Sequence, residues 1–599
     1  MKPSLFLLSL LLFPGGTPPR KSPPPDPTAL VRKRLARKVP VPKRRVLAFY
    51  YPWYHTRAFS GRQRHWGKWD PLKKDAPLAL RWPEEGPYDS LDPKVVRRHL
   101  DLARAAGIDT LVSSWWGKKT DTDRVLPLLL EEAARRGMNV TIYYETVPGK
   151  PPSPDRAARD LLHLGKKYAS HKAWLKVGGK PVFFLYGRAL LQLGSLGWVR
   201  ALDAARRAGG PDWIVLADGL KEEDAALFDG IHTYNPLGTY RGGSPEQLPA
   251  LAEGFMKDLV RLARSRGRIA CATVLPGYDD TKIRKPGARL DRLGGKLYEI
   301  QWKAALEARP DWVVITSFNE WHEGSEIEPS LQLGRKYMDA TARWAEAFKK
   351  LPPPRWNPGE AGKDPAPLEN ALGRVKGKIG ILGGMGGTAI TLLEAGARAA
   401  LVGPEDLAAG RIDPGEYPLL VYGGGESYRF TVKKPGDVPD ALGAYLSRGG
   451  ALLVLPSGPY PFYYDSGGRV VRAGERFGLL LPGAPGGKAA GPVDFESPPR
   501  GARLVFHLSP LLRRQPRSLP FPRLGDLRWR AALPPARPGP GESYLSLARL
   551  TGARGKPWGD GIALFRRPGG GRILYAWFRF GDMLPRGPLL ADFLEILFP

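Results

Sequence analysis

Cysteine is all but missing: Cys271 is the only one in 599 residues. That excludes an intrachain disulfide and any zinc or iron–sulfur site built on several thiolates. Acid is scarce as well, with 59 Asp and Glu against 91 Lys and Arg and a net charge of +32. Such a balance favours polyanionic partners as a class without choosing among them, and a solvated Arg-rich surface accounts for it equally. Zinc-finger and RNA-recognition signatures are lacking and the basic residues are spread along the chain, so nucleic acid is not expected as a partner. Long apolar runs are also missing. Leu5–Phe13 (LFLLSLLLF) is too short for a bilayer-spanning helix of about 20 residues. Disorder is excluded by what is present: 17 Trp, 22 Tyr and 42% hydrophobic residues.

Met1-Lys2, the apolar run and the PGGTPP that follows have the pattern of a secretory signal, assigned to residues 1–16. A secreted or periplasmic location follows, with a retained anchor as the alternative. Residues 17–45 carry ten Lys or Arg and one acid, Asp26, among many prolines. They are expected to form an exposed, semi-rigid linker that tethers the chain or touches an anionic envelope surface. From 46 to 350, apolar runs such as VLAFYY (46–51), TLVSSWW (110–116), NVTIYYE (139–145), IACATVLPG (269–277) and WVVITSFNE (312–320) alternate with helical patterns. In DPKVVRRHLDLARAAG (92–107), Asp92 is placed as N-cap, Pro93 in the first turn and Gly107 as the stop. About eight β-α units over this length predict a (β/α)8 TIM barrel. A Pro/Gly-rich linker follows at 351–370. Residues 371–599, with strands such as KIGILGG (378–384) and GALLVLPSG (450–458), are expected to form a smaller doubly wound α/β domain.

Barrel active sites are built where the strands end. The predicted ends offer Tyr50, Tyr51, Trp115, Trp116, Glu145, Tyr234 and Tyr278, and the last offers Asn319, Glu320, Trp321, His322 and Glu323. Rings that stack on pyranose faces, mixed with carboxylates that accept hydroxyl hydrogens and move protons, suit a sugar. Glu320 and Glu323 stand three apart in FNEWHEGSEIEP (318–329). On a turn leaving a strand, both can face one cleft, and their like charges help hold one protonated. His322 has no companions at metal-ligand spacing, so neither a metal nor another cofactor is expected.

FYYPWY (49–54), HWGKWDP (65–71), DSLDPKVVRRHL (89–100), SSWWG (113–117), FDGIHTYN (228–235), PGYDDTKIR (276–284) and TSFNEWHEGSEIEP (316–329) occur in this order. Through them the segment 46–350 resembles glycoside hydrolase family 99, the endo-α-1,2-mannosidases and endo-mannanases. The resemblance implies a retaining, endo-acting hydrolase of α-mannosidic glycans that needs no cofactor. It makes Glu320 the base acting on the sugar's own 2-hydroxyl, giving a 1,2-anhydro sugar, and Glu323 the general acid/base. It puts Glu145, Tyr234 and Arg284 around the reacting sugar and Trp115 or Trp116 against its neighbour, with Tyr50 or Tyr51 and His65 nearby. The chain departs from the family at Glu145-Thr146-Val147, at His232 and at Pro236, positions expected to line the cleft. The rival readings are a related barrel acting in polysaccharide biosynthesis by sugar transfer, and a non-catalytic glycan-binding envelope protein.

Residues 371–599 resemble class I glutamine-amidotransferase domains of the biotin-protein-ligase N-terminal type, through YGGGES (422–427) and LGAYLSRGGALLVLPSGPY (442–460). Pro456 stands where the nucleophilic Cys of active relatives is expected, and only His507 is at hand for Ser457. A non-catalytic domain is therefore expected.

Overall fold

The computed structural model describes residues 26–67, 78–352, 366–481, 494–522, 526–535 and 537–599. The expected signal at 1–16 and residues 68–71 of the HWGKWDP motif lie outside them. Eight strands of the first sheet form its barrel, with the short strand Lys176–Val177 added antiparallel at the edge: β1 (Arg45–Tyr50), β2 (Thr110–Trp115), β3 (Asn139–Tyr144), β4 (Lys180–Leu185), β5 (Ile214–Asp218), β6 (Gly230–His232), β7 (Ile269–Val274) and β8 (Trp312–Ile315). Each pairs in parallel with its neighbours. The register Tyr143↔Phe184 and Arg45↔Trp312 closes them into a barrel.

Successive side chains on a strand point to opposite faces, so one run serves two cores. Leu47, Phe49, Tyr51, Tyr143, Phe184 and Cys271 fill the barrel interior. Val46, Ala48, Tyr50, Trp115, Tyr144 and Phe183 face the surrounding helices. The helix Pro93–Ala105 starts as its sequence predicts, with the Asp92 carboxylate accepting from the Lys94 N–H, and Gly107 follows its end at φ +73°.

The segment before β1 differs from the expected exposed linker. Pro27–Leu35 is a helix that buries Thr28, Leu30 and Val31. Arg34 and Arg37 bind Asp229 at 2.9 and 2.5 Å, and Arg268 donates to the carbonyls of both arginines. Four of the ten basic groups are thus spent internally, because Arg32 also donates to Leu393 O and Arg44 to Pro310 O. Asp229 is fully buried; burial opposes its charge, but Arg34 and Arg37 hold its carboxyl below the usual range. Its folded pKa lies below the unfolded value of about 3.9, so this stabilisation is present at neutral pH and is lost as pH falls through the folded value. Asp229→Ala leaves the mostly buried Arg34 guanidinium without its carboxylate, while Arg37 keeps Asp212 at 2.6 Å, and is expected to lower stability by about 3 kcal/mol. Urea unfolding measures this, and a loss below about 1 kcal/mol would refute the latch.

The second sheet runs β10-β9-β11-β12-β17-β16-β15-β13-β14, with β9 (Ile379–Leu382), β10 (Ala399–Leu401), β11 (Leu419–Tyr422), β12 (Ala451–Val454), β13 (Val505–Leu508), β14 (Ser518–Pro520), β15 (Ser543–Thr551), β16 (Pro557–Arg566) and β17 (Arg572–Ala576). Its first five strands are parallel and the remaining four antiparallel, an extension that strand-by-strand reading did not foresee. Apolar clusters bury both faces. Arg266 pairs with Glu222 and Glu394, and Arg586 with Glu222, tying this sheet to the barrel. The expected linker at 351–370 lies mostly outside the described residues, and the helix Ala366–Leu372 starts within its far end. Among the described residues no helix is long and apolar enough to cross a membrane.

Candidate active site

The turn after β8 is packed around its own polar groups. Ser317 N donates to Ser325 O at 2.8 Å, and Glu320 N donates to Ser317 Oγ at 2.7 Å. Four glutamates leave this turn in two directions. Glu326 pairs with Arg81 and Arg292, while Glu328 accepts from Tyr88 and lies 2.9 Å from His99. Those two hold the wall. Glu320 and Glu323 face the barrel mouth, where Tyr51 feels both of them and Glu145.

Their surroundings differ. The Glu323 carboxyl accepts from Tyr234 Oη at 2.7 Å and from two Arg284 nitrogens at 3.1 Å. Burial and the charge of Glu320 nevertheless push it up to about 7, against Tyr234 and Arg284. It therefore holds its proton close to neutrality, as an acid must. Glu320 Oε1 lies 3.2 Å from the His322 N–H, 3.3 Å from His322 Nδ1 and 3.5 Å from Tyr54 Oη. His322 Nε2 is 2.7 Å from the His65 carbonyl, to which it can only donate. Nδ1 then donates to Glu320 once the ring is protonated. Burial opposes that charge, but Glu320 outweighs it and raises the imidazole pKa.

Glu145 directly follows β3 and accepts from Ser114 Oγ at 2.8 Å; burial pushes its carboxyl up to about 8. Trp116 donates to the same Ser114 oxygen. Tyr278 Oη donates to Asp280 at 3.0 Å and accepts from Arg284 at 2.7 Å, tying that arginine to Glu323. His65 is stacked on Trp53 at 4.8 Å; burial and the neighbouring His322 push it down to about 3, so it is neutral. The structure thus gathers Tyr51, His65, Trp116, Glu145, Tyr234, Tyr278, Arg284, Glu320, His322 and Glu323 at one mouth.

Four expected sugar contacts lie elsewhere. Tyr50 and Trp115 point outward to the helices; Tyr50 Oη meets His99 at 3.1 Å, and Trp115 Nε1 donates to Asp123. Alternation along the strand leaves their neighbours Tyr51 and Trp116 for the mouth. Asn319 is fully buried and spends its amide on the Tyr51 backbone and Tyr88 Oη. Trp321 is equally buried, with Nε1 on Tyr88 and Glu328. Both position the turn. His232 does not line the cleft either; it is enclosed by Phe49, Tyr143 and Phe184, and burial pushes it down to about 3.

Sequence reasoning passed over Asp218 and Arg188. Asp218 accepts from Tyr143 Oη, Gly187 N and Tyr234 N, joining three strand ends, and burial pushes it up to about 6. Its signal was available, an acid closing the apolar run WIVLADG (213–219).

Removing the Tyr234 hydroxyl is a graded test of this electrostatics. Its hydrogen bond favours the charged form of Glu323, so Tyr234→Phe raises the Glu323 pKa. If Glu323 works protonated, the alkaline limb of kcat/KM moves up by about 0.5–1 unit. A limb that stays in place or moves down would contradict this assignment.

A large cavity lies away from these acids. It is about 1680 Å³ and separates barrel helices from the glycine-rich loops 383–387 and 423–425 of the second sheet. None of Glu145, Glu320 and Glu323 lines it.

Comparison with known proteins matches the glycosyl hydrolase family 99 model to residues 43–347. The glycoprotein endo-alpha-1,2-mannosidase of Rattus norvegicus is 28% identical over 362 residues, 51% of this chain and 75% of its own length. The glycoprotein endo-alpha-1,2-mannosidase-like protein of Homo sapiens is 31% identical over 360 residues, 51% of this chain and 75% of its own. The solved family 99 endo-alpha-mannosidase of Bacteroides thetaiotaomicron, in complex with BIS-TRIS-propane, is 29% identical. That match covers 51% of this chain and 97% of the other, with a TM-score of 0.44.

Proposed function

The chain belongs to glycosyl hydrolase family 99, and from that premise we propose that it is a retaining, endo-acting hydrolase of α-mannosidic glycans working through a 1,2-anhydro sugar. The observation that carries the reading is the unequal environment of two acids on one turn. Glu323 is held protonated near neutrality, while Glu320 faces donors. In the first step Glu320 takes the proton of the mannose 2-hydroxyl. That oxygen, axial in mannose, attacks the anomeric carbon from behind as the glycosidic bond breaks, and Glu323 protonates the leaving oxygen. In the second step the Glu323 carboxylate takes a proton from water, which opens the three-membered ring at the anomeric carbon. Glu320 returns the proton to O2. Two inversions give net retention. Tyr234 and Arg284 steady the Glu323 charge between the steps, and the His322–His65 contact orients the imidazole beside Glu320.

The binding-only reading is less well supported, because it needs no carboxyl tuned to neutrality; the family match supports hydrolysis over sugar transfer. We take residues 46–350 as the catalytic unit and 371–599 as a doubly wound, amidotransferase-like unit without its chemistry. Supporting this, Pro456 occupies the turn after β12, and His507 pairs with Thr551 at 2.9 Å on the antiparallel extension. The Met1-Lys2 start and the Leu5–Phe13 apolar run support a secreted or periplasmic location, with a retained anchor as the alternative.

Product analysis on a panel of α-mannans and mannosylated glycans, with proton NMR of the first-formed anomer, tests the reading. Internal cleavage with an α-anomer first is expected. No product from any α-mannoside, or a β-anomer first, would overturn it.

A further inference from the structure

Arg188, just beyond β4, is a cation that this mechanism does not use. Its guanidinium lies over the Trp116 ring at 4.6 Å and near the Tyr186 ring at 5.4 Å. Nε is fastened to the Glu145 carbonyl at 3.2 Å, and the side chain is 45% exposed. Two chains of ring contacts lead from it to the acid pair. Tyr186 meets Tyr234, which holds Glu323; Trp116 meets Trp53, which meets His322 beside Glu320. The guanidinium therefore stands at the edge of the same mouth.

Two consequences follow. First, one face of Trp116 is taken. A neutral pyranose that came to stack there would meet a charge in place of an open indole face. Second, that charge is weakly matched. Its carboxylate neighbour, Glu145 at 3.5 Å, is buried, shares Ser114 and is pushed toward its neutral form. A planar, half-exposed fork with a fixed stem is suited to a carboxylate or phosphate. We propose that the subsite beside Glu145 receives an anionic substituent on the glycan, a uronate carboxylate or a phosphate on a sugar next to the cleaved bond, and that Arg188 reads it. The inference rests on the reading of this mouth as a mannoside-cleaving cleft. The Glu320 carboxylate, the base in this reading, repels an anion, so the substituent sits at the Arg188 end and away from the reacting carbon. The surplus of basic residues in the whole chain draws such a substrate in.

The test uses the full chain and three synthetic α-mannosides: one neutral, one with a 6-carboxylate on the sugar flanking the cleaved bond, and one with a 6-phosphate there. In low salt the wild type is expected to favour an anionic member by about 10–100-fold in kcat/KM, the span of a charged hydrogen-bonded contact. The preference should shrink in 0.5 M salt, added at roughly several times physiological ionic strength. Arg188→Gln should bring the anionic-to-neutral ratio to about 1, and Arg188→Lys should keep part of it. The carboxylate and phosphate arms identify the source of the anion. A wild-type ratio at or below 1, or a ratio that Arg188→Gln leaves unchanged, overturns the proposal. If no mannoside is cleaved, the proposed hydrolysis fails, and calorimetry of the same ligands with wild type and Arg188→Gln still decides whether Arg188 binds the anion.

Discussion

Glu323→Gln is expected to lower hydrolysis of an ordinary alkyl mannoside by about 10²–10⁴-fold while glycan binding persists. The substitution keeps the volume beside Tyr234 and Arg284 and removes the transferable proton. An aryl mannoside with a strongly acidic phenol needs no protonation to leave, so its first step should proceed in the variant. The second step also needs this carboxylate, to activate water, and stalls until an anion such as azide, which needs no base, attacks instead. The pH profile gives an independent reading. Glu323 acts protonated and is pushed up to about 7, so kcat/KM of the wild type should fall above that value. The variant should lack this limb. With azide present, equal losses on alkyl and activated aryl substrates would remove Glu323 from the acid's role.

Glu320→Gln is expected to cost a similar factor, about 10²–10⁴-fold, with a different signature. An activated leaving group should not restore the rate, because the attack by the 2-hydroxyl still lacks its base. Azide should not restore it either. The same idea can be tested on the wild type: mannosides with 2-deoxy or 2-O-methyl groups should bind and stay intact. If they are cleaved at the rate of the parent, the sugar's own oxygen is not the nucleophile, and a carboxylate of the protein takes its place.

Much of this site could be read from local pattern. Glu320 and Glu323 leave one strand on one turn, and short range alone places them together. The helix Pro93–Ala105 carries its own boundaries in Asp92 and Gly107. Tyr50 and Trp115 show where pattern stops. Alternation says that Tyr50 and Tyr51 point oppositely but is silent on which one points inward, since that depends on how the sheet closes. Asn319 has the chemistry of a sugar ligand, and only the backbone of Tyr51, 268 residues away, reveals that its amide is already engaged.

Sequence by itself determined the alternation of strands and helices, the acid pair with its aromatic surroundings, and the family motifs over the first half of the chain. Tertiary structure decided which rings face the mouth, the burial that holds Glu323 near neutrality, the seating of the N-terminal helix on Asp229, and the place of Arg188 over Trp116. The division has one physical cause. Hydrophobic period and capping act over a few neighbouring residues, whereas desolvation and charge pairing depend on groups that the closed barrel brings together from strands far apart in the chain.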